Sequence, residues 1–149
     1  MSVTLTKQSE YALQGLAFLA SQPAGSVVAL AEIAEARMLP ASFLAKIFQR
    51  LAGHGLLEAE RGRGSGGYAL SRRPESITMR EVLEAVEGPR VVHRCLLWQG
   101  HCGDENPCPL HYRLKTLRPQ LEALLDTITL AEYATESTQQ ASSGWGGMP

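Results

Sequence analysis

The sequence predicts a mostly α-helical fold with one small β-hairpin, and three observations carry that prediction. Two apolar stripes at helical spacing lie close together in the first third, separated by the breaker "RMLP". A glycine-rich run, "GRGSG", then divides two short segments of strand-like composition. A further set of leucines at helical spacing occupies the last third. The 149 residues suit one domain of common size, or one small domain with an extension. A hydrophobic share of 44% is enough to build a core.

Each element follows from local pattern. A first helix is expected from about Lys7 to Ser21, with Tyr11, Leu16, Leu19 and Ala20 near one face, ended by Pro23 and Gly25. A short second helix turns Leu30, Ile33 and Ala34 inward. A third starts at Pro40, a residue suited to a helix start. Its Leu44, Ile47, Phe48 and Leu51 form an i, i+3, i+4, i+7 stripe, and Gly53 and Gly55 stop it. "LLEAER" and "GYALSR" are candidate strands joined by the glycine run. "TMREVLEAVEG" is a capped helix: Thr78 is the N-cap, Glu81 completes a capping box, and Gly88 is the stop. Residues 89–108 are irregular. A long helix then runs to about Asp126 with Leu114, Leu117, Leu121, Leu124 and Leu125 on one side, and Pro119 is expected to kink or divide it. Thr129 and Glu132 suggest one more capped turn. The tail "STQQASSGWGGMP" has little to bury and is expected to be disordered. The chain has no internal repeat.

The glycine run contains Gly62-x-Gly64-x-x-Gly67, the spacing of a dinucleotide fingerprint. A dinucleotide loop must follow a strand and open into a helix, whose N-terminus meets the phosphate. Here a strand follows instead of a helix, ended by Pro74, and the segment before is a helix-turn-helix pattern, not the first strand of a βαβ unit. No Gly-Lys-Ser/Thr is present to form a P-loop. Glycines at a hairpin tip instead supply positive φ and let the backbone approach a partner closely. Arg61 and Arg63 beside them suit a wing resting on a DNA backbone, with Gly64, Ser65, Gly66 and Tyr68 as its neighbouring contacts. On the free face of the third helix lie Ser42, Phe43, Lys46, Gln49 and Arg50. Among them are side chains that read base edges or hold phosphates in a major groove. Net charge is only −1, but residues 37–73 carry seven Lys/Arg against Glu58 and Glu60, or +5, leaving −6 elsewhere. Helix pair, glycine hairpin and local charge together indicate a winged helix-turn-helix that binds duplex DNA.

The remaining chemistry lies in "CLLWQGHCGDENPCPLH", spaced Cys95-x6-Cys102-x5-Cys108-x2-His111. The first apolar run is too short and too interrupted for a secretory signal or a membrane span, so a cytoplasmic location is expected. Structural disulfides are rare there. Three cysteines bunched on a polar loop point to metal or redox chemistry. Thiolates suit zinc and iron–sulfur clusters. Without a close Cys–Cys pair, and with Gly100, Gly103 and Pro107 to let the loop wrap a larger object, a cluster is favoured. Zinc held by three Cys and one His remains open, either as a cofactor or as the staple of a protein-interaction module, and so does a cluster-free thiol switch. An enzyme is not expected, because a Cys–His pair on this loop lacks an evident orienting group.

"LTKQSEYALQGLAFLA", the helix-turn-helix and hairpin from Leu30 to Arg72, the three-cysteine loop and "LLDTITLAEYA" together resemble the Rrf2 family of bacterial transcription regulators, in order, from about residue 3 to residue 134. The resemblance implies a winged helix-turn-helix joined to a long dimerisation helix. It divides the chain into a DNA-binding domain (1–88), a cluster-binding loop (89–110), a dimerisation region (111–135) and a tail (136–149). It implies a homodimer on a near-palindromic operator, whose binding is set by an iron–sulfur cluster sensing iron, oxygen or nitric oxide. Cys95, Cys102 and Cys108 would be ligands. For the fourth, His111 matches the position used by members with a 2Fe–2S cluster. Glu10 falls where other members place an acidic residue that reaches across from the partner subunit, and a 4Fe–4S cluster is the alternative. His93 and His101 are also near. The six-residue first interval and Ala45, at a position acidic in one branch, depart from the commonest pattern.

Overall fold

The computed structural model describes residues 5–61, 66–98, 100 and 102–142. Helix α1 (Lys7–Ala20) crosses α2 (Leu30–Ala36) and α3 (Ala41–Gly53), which form the helix-turn-helix. The turn between them is sharp because Met38 adopts the left-handed region, φ 54°, and lets the Leu39 N–H reach back to the Ala34 carbonyl at 2.8 Å. The α3 stripe is buried as its spacing requires, with Leu44, Phe48 and Leu51 fully enclosed. Gly15 sets how closely α1 approaches: a Cβ there would stand 2.7 Å from the Phe48 ring.

Strands β1 (Leu57–Glu60) and β2 (Gly67–Leu70) pair antiparallel, with Leu57 opposite Leu70 and Glu60 opposite Gly67. Val28, before α2, adds a bridge to the hairpin: its N–H donates to the Tyr68 carbonyl at 3.0 Å, and the Tyr68 N–H returns a bond at 2.9 Å. A side chain at Gly67 would collide with the Val28 backbone. The third glycine of the fingerprint spacing is therefore required by strand packing.

Helix α4 (Met79–Glu87) starts on the expected capping box: Thr78 Oγ1 accepts from the Glu81 N–H, and Glu81 accepts from the Thr78 N–H at 2.9 Å. Helix α5 (His111–Thr127) runs through Pro119 without the break that was one of the two expected outcomes there. Proline removes one bond to the carbonyl four residues earlier, here that of Lys115. Both residues are exposed, so water can satisfy that carbonyl. Helix α6 (Leu130–Ser142) also exceeds the single capped turn expected and enters the segment expected to be disordered. Its first turn has the capping box of Thr129 and Glu132. Its length follows from packing against α1, where Leu130 is fully buried and Ala134 nearly so. The rest of the tail, 143–149, lies outside the described residues.

The main core unites Leu16 of α1, Ile33 of α2, the α3 stripe, Leu56, Leu57, Ile77, Val82 of α4 and Leu130 of α6. Backbone bonds from Met79 to Ile128 (2.9 Å) and from Leu130 to Ile77 (2.8 Å) tie the start of α4 to the junction of α5 and α6. Helix α5 stands apart. Leu121 and Leu125 pack against Leu83, Val91 and Val92, whereas Leu117 and Leu124 remain 54% and 53% exposed.

Candidate metal centre and nucleic-acid interface

The chain from α4 to α5 enters through a single helical turn, Val91–His93, whose valines dock on Leu83 and Leu121. That docking fixes where the cysteine loop starts. The sulfurs of Cys95, Cys102 and Cys108 then converge to within 4.8 Å of one another. Backbone N–H groups support them: those of Leu97 and Trp98 donate to Cys95 Sγ at 3.3 and 3.2 Å, and that of Cys108 to Cys102 Sγ at 3.4 Å. The Trp98 amide is the main influence that lowers the Cys95 thiol to about 7, with Leu97 assisting against a desolvation cost. Burial pushes the Cys108 thiol up. Cys95 and Cys108 sulfurs are 3.5 Å apart.

His111 opens α5 and borders this trio. It is buried, and its Nδ1 lies 3.2 Å from Cys102 Sγ. Its Nε2 lies 2.9 Å from Asp104 Oδ1. Lys115, one helical turn further along α5, grips both Asp104 oxygens at 2.8 and 3.0 Å. The Lys115 ammonium, then the imidazole, hold the Asp104 carboxyl down at about 2. Sequence reasoning missed Asp104 and Lys115. The available signals were an acid inside the Cys102–Cys108 interval and a base four residues after His111. The orienting group that the Cys–His pair seemed to lack is thus present. Thiol, imidazole and carboxylate in series also occur in nucleophilic sites, but two further thiols crowd Cys102 here, a donor set suited to a soft metal.

Other candidates stand elsewhere. Glu10 is exposed on α1, paired with Lys7 at 2.9 Å and outside the sulfur trio of its own chain. His93 turns to Glu122 of α5 at 2.8 Å. His101 lies outside the described residues.

On the second surface, Ser42, Phe43, Lys46, Gln49 and Arg50 of α3 are all exposed. Phe43 rests edge-on against Tyr11, with ring centroids 5.9 Å apart. Arg50 is tied inward: its Nη1 donates to Gln8 Oε1 and to the Val86 carbonyl, both at 2.9 Å. Arg61 and Gly66 are exposed at the turn end of the hairpin, just beyond the Glu60–Gly67 pair, and half-buried Tyr68 packs edge-on to Phe48 at 5.2 Å. Arg63, Gly64 and Ser65 lie outside the described residues.

A carboxylate links the two surfaces. Glu87 of α4, with its side chain 2% exposed, accepts from the Thr6 N–H and hydroxyl at 2.7 and 2.6 Å and from the Ser9 hydroxyl at 2.8 Å. Arg94, next to Cys95, donates to Glu87 Oε2 at 2.8 Å and to the Glu87 carbonyl.

The family model described as Rrf2, iron-dependent transcriptional regulator, matches residues 5–136. This chain belongs to the Rrf2 family. The HTH-type transcriptional regulator IscR of Escherichia coli O1:K1 is 34% identical to this Rrf2 chain over 140 residues, covering 94% of this chain and 85% of that one. The solved structure of CymR, the global cysteine regulator of B. subtilis, matches with a TM-score of 0.70 at 25% identity, over 89% of this chain and 97% of that one. T. potens IscR matches in fold at TM-score 0.65 and 23% identity, over 98% and 92% of the two chains. This Rrf2 protein is thus an IscR-like transcriptional regulator with a winged-helix fold, a family role that implies DNA binding, and its three close cysteines could hold a metal cofactor. Among the described residues, no helix is long and apolar enough to cross a membrane.

Proposed function

We propose that this regulator binds a near-palindromic DNA site as a homodimer, and that an iron–sulfur centre at Cys95, Cys102, Cys108 and His111 controls that binding. The observation that carries the proposal is three thiols within 4.8 Å of one another with an imidazole nitrogen 3.2 Å from one of them. The donors fit the group: thiolates are soft ligands, imidazole is borderline, and N–H bonds to sulfur tune such centres. Imidazole ligation favours a 2Fe–2S cluster over 4Fe–4S. When bound, such a cluster would supply an iron coordination that oxygen, nitric oxide or iron shortage can disrupt. Glu10, from a partner subunit, is the rival fourth ligand.

For DNA, two α3 helices in a dimer would enter successive major grooves about 34 Å apart. Ser42 and Gln49 are the base-reading candidates, and Phe43 supplies an apolar contact. Lys46, Arg61 and Arg63 are the phosphate contacts, with Gly64, Ser65, Gly66 and Tyr68 shaping the wing. Arg50, held by Gln8 and Val86, retains only part of its guanidinium for phosphate. Control requires the cofactor-bound and cofactor-free states to differ in DNA affinity, typically by about 5- to 150-fold.

Anaerobic purification with iron and sulfide counted, followed by promoter binding with and without the cluster, tests this reading. Cys102→Ala is expected to lose the visible absorbance and the difference in DNA affinity. Wild-type protein that takes up no iron and sulfide on reconstitution overturns the cluster assignment. A thiol switch is the second reading, favoured by the Cys95 thiol at about 7 lying 3.5 Å from the Cys108 sulfur. It predicts iron-free protein whose DNA binding responds to peroxide and is restored by dithiol. Zinc in place of iron points to the structural alternative.

A further inference from the structure

The interval between Cys102 and Cys108 holds a carboxylate that a sulfur-ligating loop does not need. Asp104 sits in a tight turn closed by reciprocal backbone bonds between Gly103 and Asn106, at 3.2 and 3.1 Å. That turn carries Asp104 back over the start of α5. Its side chain is 65% exposed, so core packing does not demand the position it takes. It nevertheless lies within hydrogen-bond distance of two α5 side chains four residues apart, a spacing that puts both on one helix face. One is the flexible ammonium of Lys115, which bonds both carboxylate oxygens. The other is the enclosed ring of His111.

We propose that Asp104 is a positioning residue for the metal centre: braced by Lys115, it takes the Nε2 proton of His111 in a hydrogen bond and thereby turns the Nδ1 lone pair toward the Cys102 sulfur. The argument is one of donor and acceptor capacity. An ionised carboxylate can only accept, so a neutral imidazole in contact with it carries its single proton on Nε2. The other nitrogen is then a bare lone pair, and it is the one 3.2 Å from Cys102 Sγ. A metal-bound histidine is typically held this way, through its second nitrogen, by a carboxylate, carbonyl or water. Lys115 fixes the carboxylate without competing for the metal, because an ammonium has no lone pair to give.

This inference rests on His111 being the fourth ligand, and the experiment separates the two. Wild type, Asp104→Ala, Asp104→Glu, His111→Ala and the Asp104→Ala/His111→Ala double variant are reconstituted anaerobically as full chains. Two readouts are taken: the electron paramagnetic resonance of the reduced cluster, and the rate of iron loss to a chelator. Asp104→Ala is expected to shift the spectrum and to release iron about 10-fold faster, the usual scale for such outer partners. Asp104→Glu should restore part of both. In the His111→Ala background, Asp104→Ala should add nothing. A carboxylate that merely capped α5 would change thermal stability alone, leaving the spectrum as in wild type. Wild-type spectrum and release rate in Asp104→Ala, or an undiminished effect without His111, overturn the inference on its own. A His111→Ala variant with the wild-type spectrum overturns the ligand assignment and this inference with it. The same holds for wild-type protein that loads no cluster.

Discussion

Glu87 shows how one residue can hold several segments. Burial alone would raise its carboxyl, but the Thr6 hydroxyl, the Arg94 guanidinium, the Thr6 amide and the Ser9 hydroxyl together outweigh that and lower it from 4.5 to about 2. A carboxyl depressed in the folded state contributes stability above its unfolded value and loses it as pH falls through the folded one. The contribution is therefore complete above about pH 5 and fades between 4.5 and 2. Its ceiling is about 3 kcal/mol, from the size of the shift. Glu87→Gln, which keeps the shape but not the charge, is expected to destabilise the cluster-free chain by about 2 kcal/mol at pH 7. The deficit should shrink toward pH 3. Urea unfolding at both pH values checks this, and a deficit that does not change with pH would refute the account.

At the scale of elements, α5 presents an apolar seam that its own chain leaves open. Leu114, Leu117, Leu121 and Leu124 follow the 3, 4, 3 spacing of a heptad, and among the described residues only Leu121 of these joins a buried cluster. Leu117→Glu with Leu124→Glu is expected to convert a homodimer to monomer while helix content stays unchanged. Burying each leucine contributes about 2 kcal/mol, so losing four per pair weakens association by at least roughly 10⁴-fold. Sedimentation at micromolar concentration decides it: an unaltered dimer would place the interface elsewhere. The seam was legible in the sequence because periodicity is a local signal, as were the α3 stripe, the hairpin and both capping boxes. Continuity through Pro119 was not, since the cost of a proline depends on whether water reaches the freed carbonyl. The length of α6 was not either, because its polar sequence becomes helical against α1. The cysteine trio could be read from spacing, and Asp104 lies only seven residues before His111, but their bond depends on how the intervening turn folds; the bonds from Arg50 to Gln8 and Val86 join separate segments that no window of sequence contains.

Across the whole molecule, a series of hydrogen bonds and chain neighbours joins the cysteine loop to α3. Arg94 follows the loop into Glu87; Glu87 binds Thr6 and Ser9 at the start of α1; Gln8 of that same turn binds Arg50 of α3; and Arg50 returns to the Val86 carbonyl beside Glu87. Movement of the cysteine loop would pull on Arg94 first, and the end of α4 and the start of α1 share that load with α3. Contiguity supplies a route, and a coupling free energy is what tests it. Arg94→Gln should leave the three thiols, His111 and the outer face of α3 intact. It is therefore expected to load a full complement of iron, yet to reduce the ratio of DNA affinities with and without the cluster by about 5-fold, the low end of ordinary coupling. Because linkage is reciprocal, operator DNA should also alter cluster retention less in the variant than in wild type. Titrating an operator fragment with loaded and cluster-free forms of both proteins, at one fixed salt concentration, measures the four affinities required. Equal ratios in the two proteins would mean that the signal bypasses Glu87 and takes another route, such as displacement of α5 in the proposed dimer.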